Sequence, residues 1–222
     1  MFGKRFARTR LKVCCISSAE ELALAIQLGA DCVGLVSNMP SGPGVIPESL
    51  IAELVALCPP GVTPVLLTSA TSADAIAAQH ERTRATCLQL CDAVDADELR
   101  ALKRGLPHHV SLMQVLHVTG DSAVAEARSV TPFVDALLLD SGRPDLAVKQ
   151  LGGTGRTHDW SVSRAVVEAS DVPVFLAGGL NSDNVADAVA QVRPYGVDLC
   201  TGVRTAGALD EAKLTAFTAA LG

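Results

Sequence analysis

Aromatic residues make up only 3% of this 222-residue chain, with one Trp, one Tyr and five Phe. Any core must therefore be built from Leu, Val, Ile and Ala, the residues that fill buried parallel sheets. No apolar run approaches the ~20 residues that a membrane-spanning helix needs. Lys4, Arg5, Arg8 and Arg10 are not followed by the apolar segment of roughly 7–15 residues that marks a secretory signal. Residues 1–10 read instead as a flexible basic N-terminal tail. Net charge is −6 and no basic patch alternates with aromatics, which argues against a nucleic-acid partner.

A disulfide framework is also missing. The seven cysteines (14, 15, 32, 58, 87, 91 and 200) are odd in number and fall mostly inside or at the ends of apolar runs. That pattern suits reduced thiols in a cytoplasmic protein. Cys87 and Cys91 lie four apart without a second ligand pair, so zinc is not expected. No metal and no organic cofactor is implied.

What the chain does have is periodicity. It is 49% hydrophobic, with a mean hydropathy of +0.33. Short apolar runs bounded by turn residues predict eight strands, over 11–15, 32–37, 63–68, 86–90, 111–117, 136–140, 172–177 and 197–200. Ala-rich segments with helical spacing alternate with them, roughly over 18–29, 47–57, 72–84, 94–104, 121–130, 161–170, 182–191 and 210–220. Ser18 with Glu21 reads as a capping box opening the first helix, and Gly29 closes it. Eight alternating units without an early glycine-rich dinucleotide fingerprint predict an α/β fold: a single-domain (β/α)8 TIM barrel over 11–222. The one long polar connection, 141–160, follows the sixth strand and is expected to be a lid.

In such a barrel, residues at strand C-termini share one mouth. Lys12-Val13-Cys14-Cys15 and Leu138-Leu139-Asp140-Ser141 each end a run on a reactive side chain. A thiol and a carboxylate can face each other there as base and acid. No lysine stands just past a strand, which argues against a Schiff-base aldolase. His117 is the only histidine in that set, too few for a two-His metal epimerase; it reads as a polar rim residue. Gln89 either hydrogen-bonds in the mouth or packs in the barrel. Ala177-Gly178-Gly179-Leu180-Asn181 leaves the seventh strand and Thr201-Gly202-Val203 the eighth. Glycines at those two positions let backbone N–H groups approach a phosphate, so Gly178, Gly179, Thr201 and Gly202 are candidate phosphate-binding residues. The expected partner is a small phosphorylated molecule.

From Leu11 to the C-terminus the chain resembles the phosphoribosylanthranilate isomerase family of tryptophan biosynthesis. That family opens on Lys-aliphatic-Cys-Gly, seen here as Lys12-Val13-Cys14-Cys15. Its aliphatic-aliphatic-Asp-Ser resembles Leu138-Leu139-Asp140-Ser141. Its glycine-rich loop and Asp-Trp resemble Gly152-Gly153-Thr154-Gly155 and Asp159-Trp160. Its Leu-Ala-Gly-Gly-Leu-Asn resembles Leu176 to Asn181, and its closing motif resembles Gly196-Val197-Asp198 with Thr201-Gly202-Val203. The resemblance implies an Amadori rearrangement of an N-(5'-phosphoribosyl) amine, an aldose–ketose isomerisation. It implies Cys14 as base, Asp140 as acid, and Gly153, Thr154, Gly155 and Arg156 as lid residues over the substrate. A thiol acts as base only when partly ionised, and a nearby cation favours that; Lys12 alternates with Cys14 and should share its face.

Three positions depart from the family pattern. Ser41-Gly42-Pro43-Gly44 carries no arginine where the family has Ser-Pro-Arg-Tyr. Gln89-Leu90-Cys91-Asp92 replaces Gln-Leu-His-Gly, and Cys15 replaces a glycine. Arg156 or Arg204 is the expected substitute cation for a substrate carboxylate. The same chemistry on another aglycone, or a non-catalytic sugar-phosphate binder, are the alternative readings. Either a monomer or a homodimer is compatible with the sequence.

Overall fold

The strands are runs of aliphatic residues buried on both faces, and their pleat sorts them into two packing layers. In the computed structural model, which describes residues 8–142 and 158–222, they close into an eight-stranded parallel barrel. In order these are β1 (Arg10–Val13), β2 (Cys32–Val36), β3 (Thr63–Thr68), β4 (Cys87–Leu90), β5 (Ser111–His117), β6 (Ala136–Asp140), β7 (Val174–Leu176) and β8 (Gly196–Leu199). Each pairs with the next, and β8 closes on β1 with Lys12 opposite Asp198. Eight helices alternate with them: α1 (Ala19–Gln27), α2 (Glu48–Leu57), α3 (Ala73–Thr83), α4 (Ala96–Gly105), α5 (Ser122–Val130), α6 (Trp160–Ala169), α7 (Val185–Val192) and α8 (Glu211–Leu221). The predicted (β/α)8 barrel is the fold observed.

One set of alternating residues faces the helices. Leu35, Leu66, Leu88, Leu137, Leu139 and Val197 join the apolar sides of the helices in one continuous layer. The other set fills the barrel: Val65, Leu67, Cys87, Met113, Leu138 and Phe175. Cysteines thus supply part of that interior. Phe175 meets Tyr195 edge-on at 5.3 Å. A Cβ at Gly196 would lie 2.5 Å from the Phe175 ring, so that ring needs the glycine.

Local signals set the helix ends. The Ser18 hydroxyl accepts from the Glu21 N–H at 3.2 Å and caps α1. Gly29, at φ +92°, ends it: its N–H donates to Ile26 and that of Ala30 to Ala25, a Schellman arrangement. The expected reciprocal half of the capping box does not form on Ser18. The Glu21 carboxylate instead accepts from the Ser17 N–H at 3.0 Å and reaches across to Arg204.

Two further features were not read from the sequence. A short 3-10 turn, Thr201–Val203, follows β8, and a small hairpin of β9 (Arg204–Thr205) and β10 (Ala208–Leu209) precedes α8. At the N-terminus, Arg10 opens β1, and Arg8 and Arg10 both bind Asp31. Among the described residues no helix is long and apolar enough to cross a membrane.

Candidate active site

The β1–β8 seam carries a buried ion pair. Lys12 is fully buried in the barrel, with Nζ 2.8 Å from Asp198 Oδ1. Burial disfavours its charge, but Asp198 and the Cys14 thiol more than offset this, so its pKa is raised and the ammonium persists. Asp198 is pushed up by burial, with Lys12 opposing. Cys14 follows one pleat later, 5% exposed, with its N–H held by Leu199 O at 2.8 Å. Gly34 on β2 makes room for it: a Cβ there would sit 2.8 Å from Cys14 Sγ.

Asp140 ends β6 and lines the same cavity as Cys14, Gln89 and Asp198. It is 7% exposed, and its Oδ1 accepts from the Ser141 N–H at 2.7 Å. Burial raises its pKa to about 6, with the Ser141 bond opposing and Asp198 adding to the rise. A carboxyl in that range exchanges protons near neutral pH, as a general acid requires. Gln89 Nε2 lies 3.7 Å from Cys91 Sγ, its buried Oε1 has no partner among the described residues, and its side chain lines the cavity. Gln89 therefore belongs to the mouth, settling the choice that the sequence left open. His117 does not line this cavity; its Nε2 is 3.1 Å from Cys91 O.

Gly178 and Gly179 have φ of 88° and 65° and line the cavity with Thr201. Gly202 does not line it. A Cβ there would be 2.1 Å from Leu180 O, so glycine lets the turns after β7 and β8 pack together. The N–H groups of Gly178, Gly179, Thr201 and Gly202 donate to no backbone carbonyl of the described residues. An array of such donors suits an anion.

The adjoining rim, at the end of β1, is built around Cys15. This residue has φ 65°, lines the cavity, and places its Sγ 2.7 Å from Cys200 Sγ. Gly44 packs against it, with room for no Cβ. Arg204, expected as a candidate for a substrate carboxylate, is committed elsewhere. Its side chain is buried, pairs with Glu21 at 2.8 Å, and donates to the carbonyls of Cys14, Cys15 and Gly207. Glu21 also accepts from the Leu209 N–H. The pair pins the end of β1 to the β9–β10 hairpin.

The structure thus brings Cys14, Asp140, Gly178, Gly179 and Thr201 to one cavity, with Gly202 behind it. Gly153, Thr154, Gly155 and Arg156 lie outside the described residues. Gly34 and the Glu21–Arg204 pair were missed from sequence. The Glu21 carboxylate was assigned to a local cap, and no local signal distinguishes Gly34 from any strand glycine.

A model of the N-(5'-phosphoribosyl)anthranilate (PRA) isomerase family matches residues 11–220. N-(5'-phosphoribosyl)anthranilate isomerase of Haloferax volcanii is 39% identical over 96% of this chain and 92% of its own. N-(5'-phosphoribosyl)anthranilate isomerase 2 of Methanosarcina mazei is 36% identical over 94% and 92%. The crystal structure of phosphoribosyl anthranilate isomerase from Thermotoga maritima superposes with a TM-score of 0.82 at 25% identity, covering 96% of this chain and 98% of that one. The chain belongs to the N-(5'-phosphoribosyl)anthranilate isomerase family.

Proposed function

We propose that this chain isomerises N-(5'-phosphoribosyl)anthranilate with Cys14 as general base and Asp140 as general acid. The observation that carries this reading is a thiol above a buried lysine sharing one cavity with a carboxyl raised to about 6. Protonated Asp140 gives its proton to the furanose ring oxygen, and the ring opens to an iminium. The Cys14 thiolate then takes the C2' proton, leaving the enol of the aminoketose, which tautomerises to the ketone. Atoms are conserved, and only protons and the ring bond move. Asp198 holds Lys12 in place beneath Cys14.

Backbone N–H groups at Gly178, Gly179 and Thr201 bind the 5'-phosphate in this reading, with Gly202 backing their turn. Gly153, Thr154, Gly155 and Arg156 close over the substrate. With Arg204 held by Glu21, Arg156 takes the anthranilate carboxylate. A cytoplasmic location fits seven free cysteines. Family membership over nearly the whole chain favours this substrate over another aglycone or a non-catalytic binder.

The test is complementation of a tryptophan auxotroph lacking the isomerase. Rescue is expected from the chain itself. Cys14→Ala and Asp140→Asn should each abolish it, with purified variants losing about 10²–10⁴ in kcat. Folded protein that fails to rescue, or variants that still rescue, overturns the assignment.

A further inference from the structure

We propose that Cys15 and Cys200 form a reversible modification site, in which a small-molecule disulfide of the glutathione type joins the two thiols and closes the phosphate side of the barrel mouth. The two sulfurs lie 2.7 Å apart at the ends of the adjoining strands β1 and β8. Approach to bonding distance, about 2.05 Å, needs a sub-ångström shift. Both residues line the open cavity, and Cys200 is the more exposed of the pair, so a reagent entering the mouth meets them.

The surroundings hold this pairing in place. Successive residues of a strand point to opposite faces, but the left-handed backbone at Cys15 keeps its side chain on the cavity side. A Cβ at Gly44 would lie 2.5 Å from Cys15 Cβ, so there is no space for Cys15 to retreat that way. Arg204 grips the Cys15 carbonyl at 2.5 Å. The Cys15 thiol also meets that of Cys14, which packs against Gly34 on β2, while its 2.7 Å sulfur contact is with Cys200. The Cys15 thiol lowers the pKa of Cys200, opposed by burial and helped by the Arg204 charge, which makes Cys200 the attacking sulfur.

The exchange balances. The Cys200 thiolate attacks one sulfur of the reagent, breaking its S–S bond and expelling one thiolate. Cys15, giving its proton to that thiolate, attacks Cys200 Sγ and expels the second. Two electrons pass from the cysteines to the reagent, which leaves as two thiols. Cys200 directly precedes Thr201 and Gly202, and Gly202 already abuts Leu180 O without room for a Cβ. Drawing Cys200 toward β1 therefore moves the phosphate turn. The effect on turnover rests on the isomerase reading; the thiol chemistry does not.

The experiment treats reduced protein with oxidised glutathione, alkylates remaining thiols and maps the peptides. The expected result is a Cys15–Cys200 link, with the intact mass lower by two hydrogens. KM for phosphoribosylanthranilate should rise at least about tenfold and return with dithiothreitol. Cys200→Ser and Cys15→Gly are each expected to show the same KM before and after oxidation. Affinity for inorganic phosphate reads closure without turnover and is expected to weaken in parallel. A link through Cys14, a persistent glutathione adduct, or a Cys15–Cys200 link with unchanged phosphate affinity overturns the proposal. So does equal inactivation of both variants. A linked protein with weakened phosphate affinity but no isomerase activity when reduced would defeat the isomerase reading alone.

Discussion

Gly179 and Cys15 share a φ of 65° at the mouth of one barrel, and only one of them is glycine. On the phosphate side, two glycines adopt left-handed backbone without a Cβ penalty, and Gly202 admits a carbonyl that a side chain would block. On the base side, a cysteine takes the same dihedral at a cost of roughly 1–2 kcal/mol. That rim is then held from outside by Arg204, Glu21 and the hairpin. One rim is shaped by permissive residues, the other by contacts that override an unfavourable one. A strained element persists only when its surroundings over-determine it.

Removing those contacts should break the comparison first. Arg204→Ala takes the cation from half-buried Glu21, which keeps its bonds from Ser17 and Leu209, and frees the carbonyls of Cys14 and Cys15. It is expected to cost about 3 kcal/mol, the lower end of the range for breaking a buried pair, in urea unfolding. A loss below about 1 kcal/mol would mean that the base-side rim supports itself.

Asp140→Asn probes the acid that ends β6 in the same cavity. The Asp140 pKa is raised to about 6 in the fold from an ordinary value of 3.8. The wild-type carboxyl therefore contributes no penalty below pH 4, and stability is lost as pH rises through about 6. Relative to wild type, the Asn variant should gain on the order of 2–3 kcal/mol at pH 7 and nothing at pH 3.5, while losing activity. A pH-independent difference would remove burial of the charge as the cause.

The smallest effect is the most direct comparison. Gly179→Ala should destabilise by about 1 kcal/mol, since alanine must then adopt φ near 65°. Cys15→Gly relieves the same strain but adds glycine's chain entropy, roughly 0.5–1 kcal/mol, and loses a buried thiol. Its net gain should stay below the loss at Gly179. Thermal melts of the two variants decide it; a marked destabilisation by Cys15→Gly would show that thiol packing outweighs the strain.

Much of this fold is legible locally. The strands expected at 63–68, 111–117 and 136–140 are those observed, because each is a mainly apolar run, nearly all of it buried, that turn residues bound. Boundaries slipped by one or two residues at β1, β2, β4, β7 and β8, at the C-terminal end alone for β2 and at the N-terminal end alone for β4. The glycine turns and the Cys14 and Asp140 strand ends were readable for the same reason: position along a strand fixes which end of the barrel a residue occupies. Gly34 was not, since its effect is on a thiol from another strand. Arg204 was misread because a lone arginine after a strand says nothing of the carboxylate waiting on α1.

By itself the sequence determined the eight β/α units and the cluster of reactive and glycine residues at the strand ends, since alternation and turn chemistry act over a few residues. The tertiary structure alone decided the partners. Lys12 and Asp198 are 186 residues apart, and Cys15 and Cys200 are 185 apart, yet both pairs meet because β8 closes on β1. Barrel closure joins the two ends of the chain, and no local pattern encodes which side chains face each other across that seam.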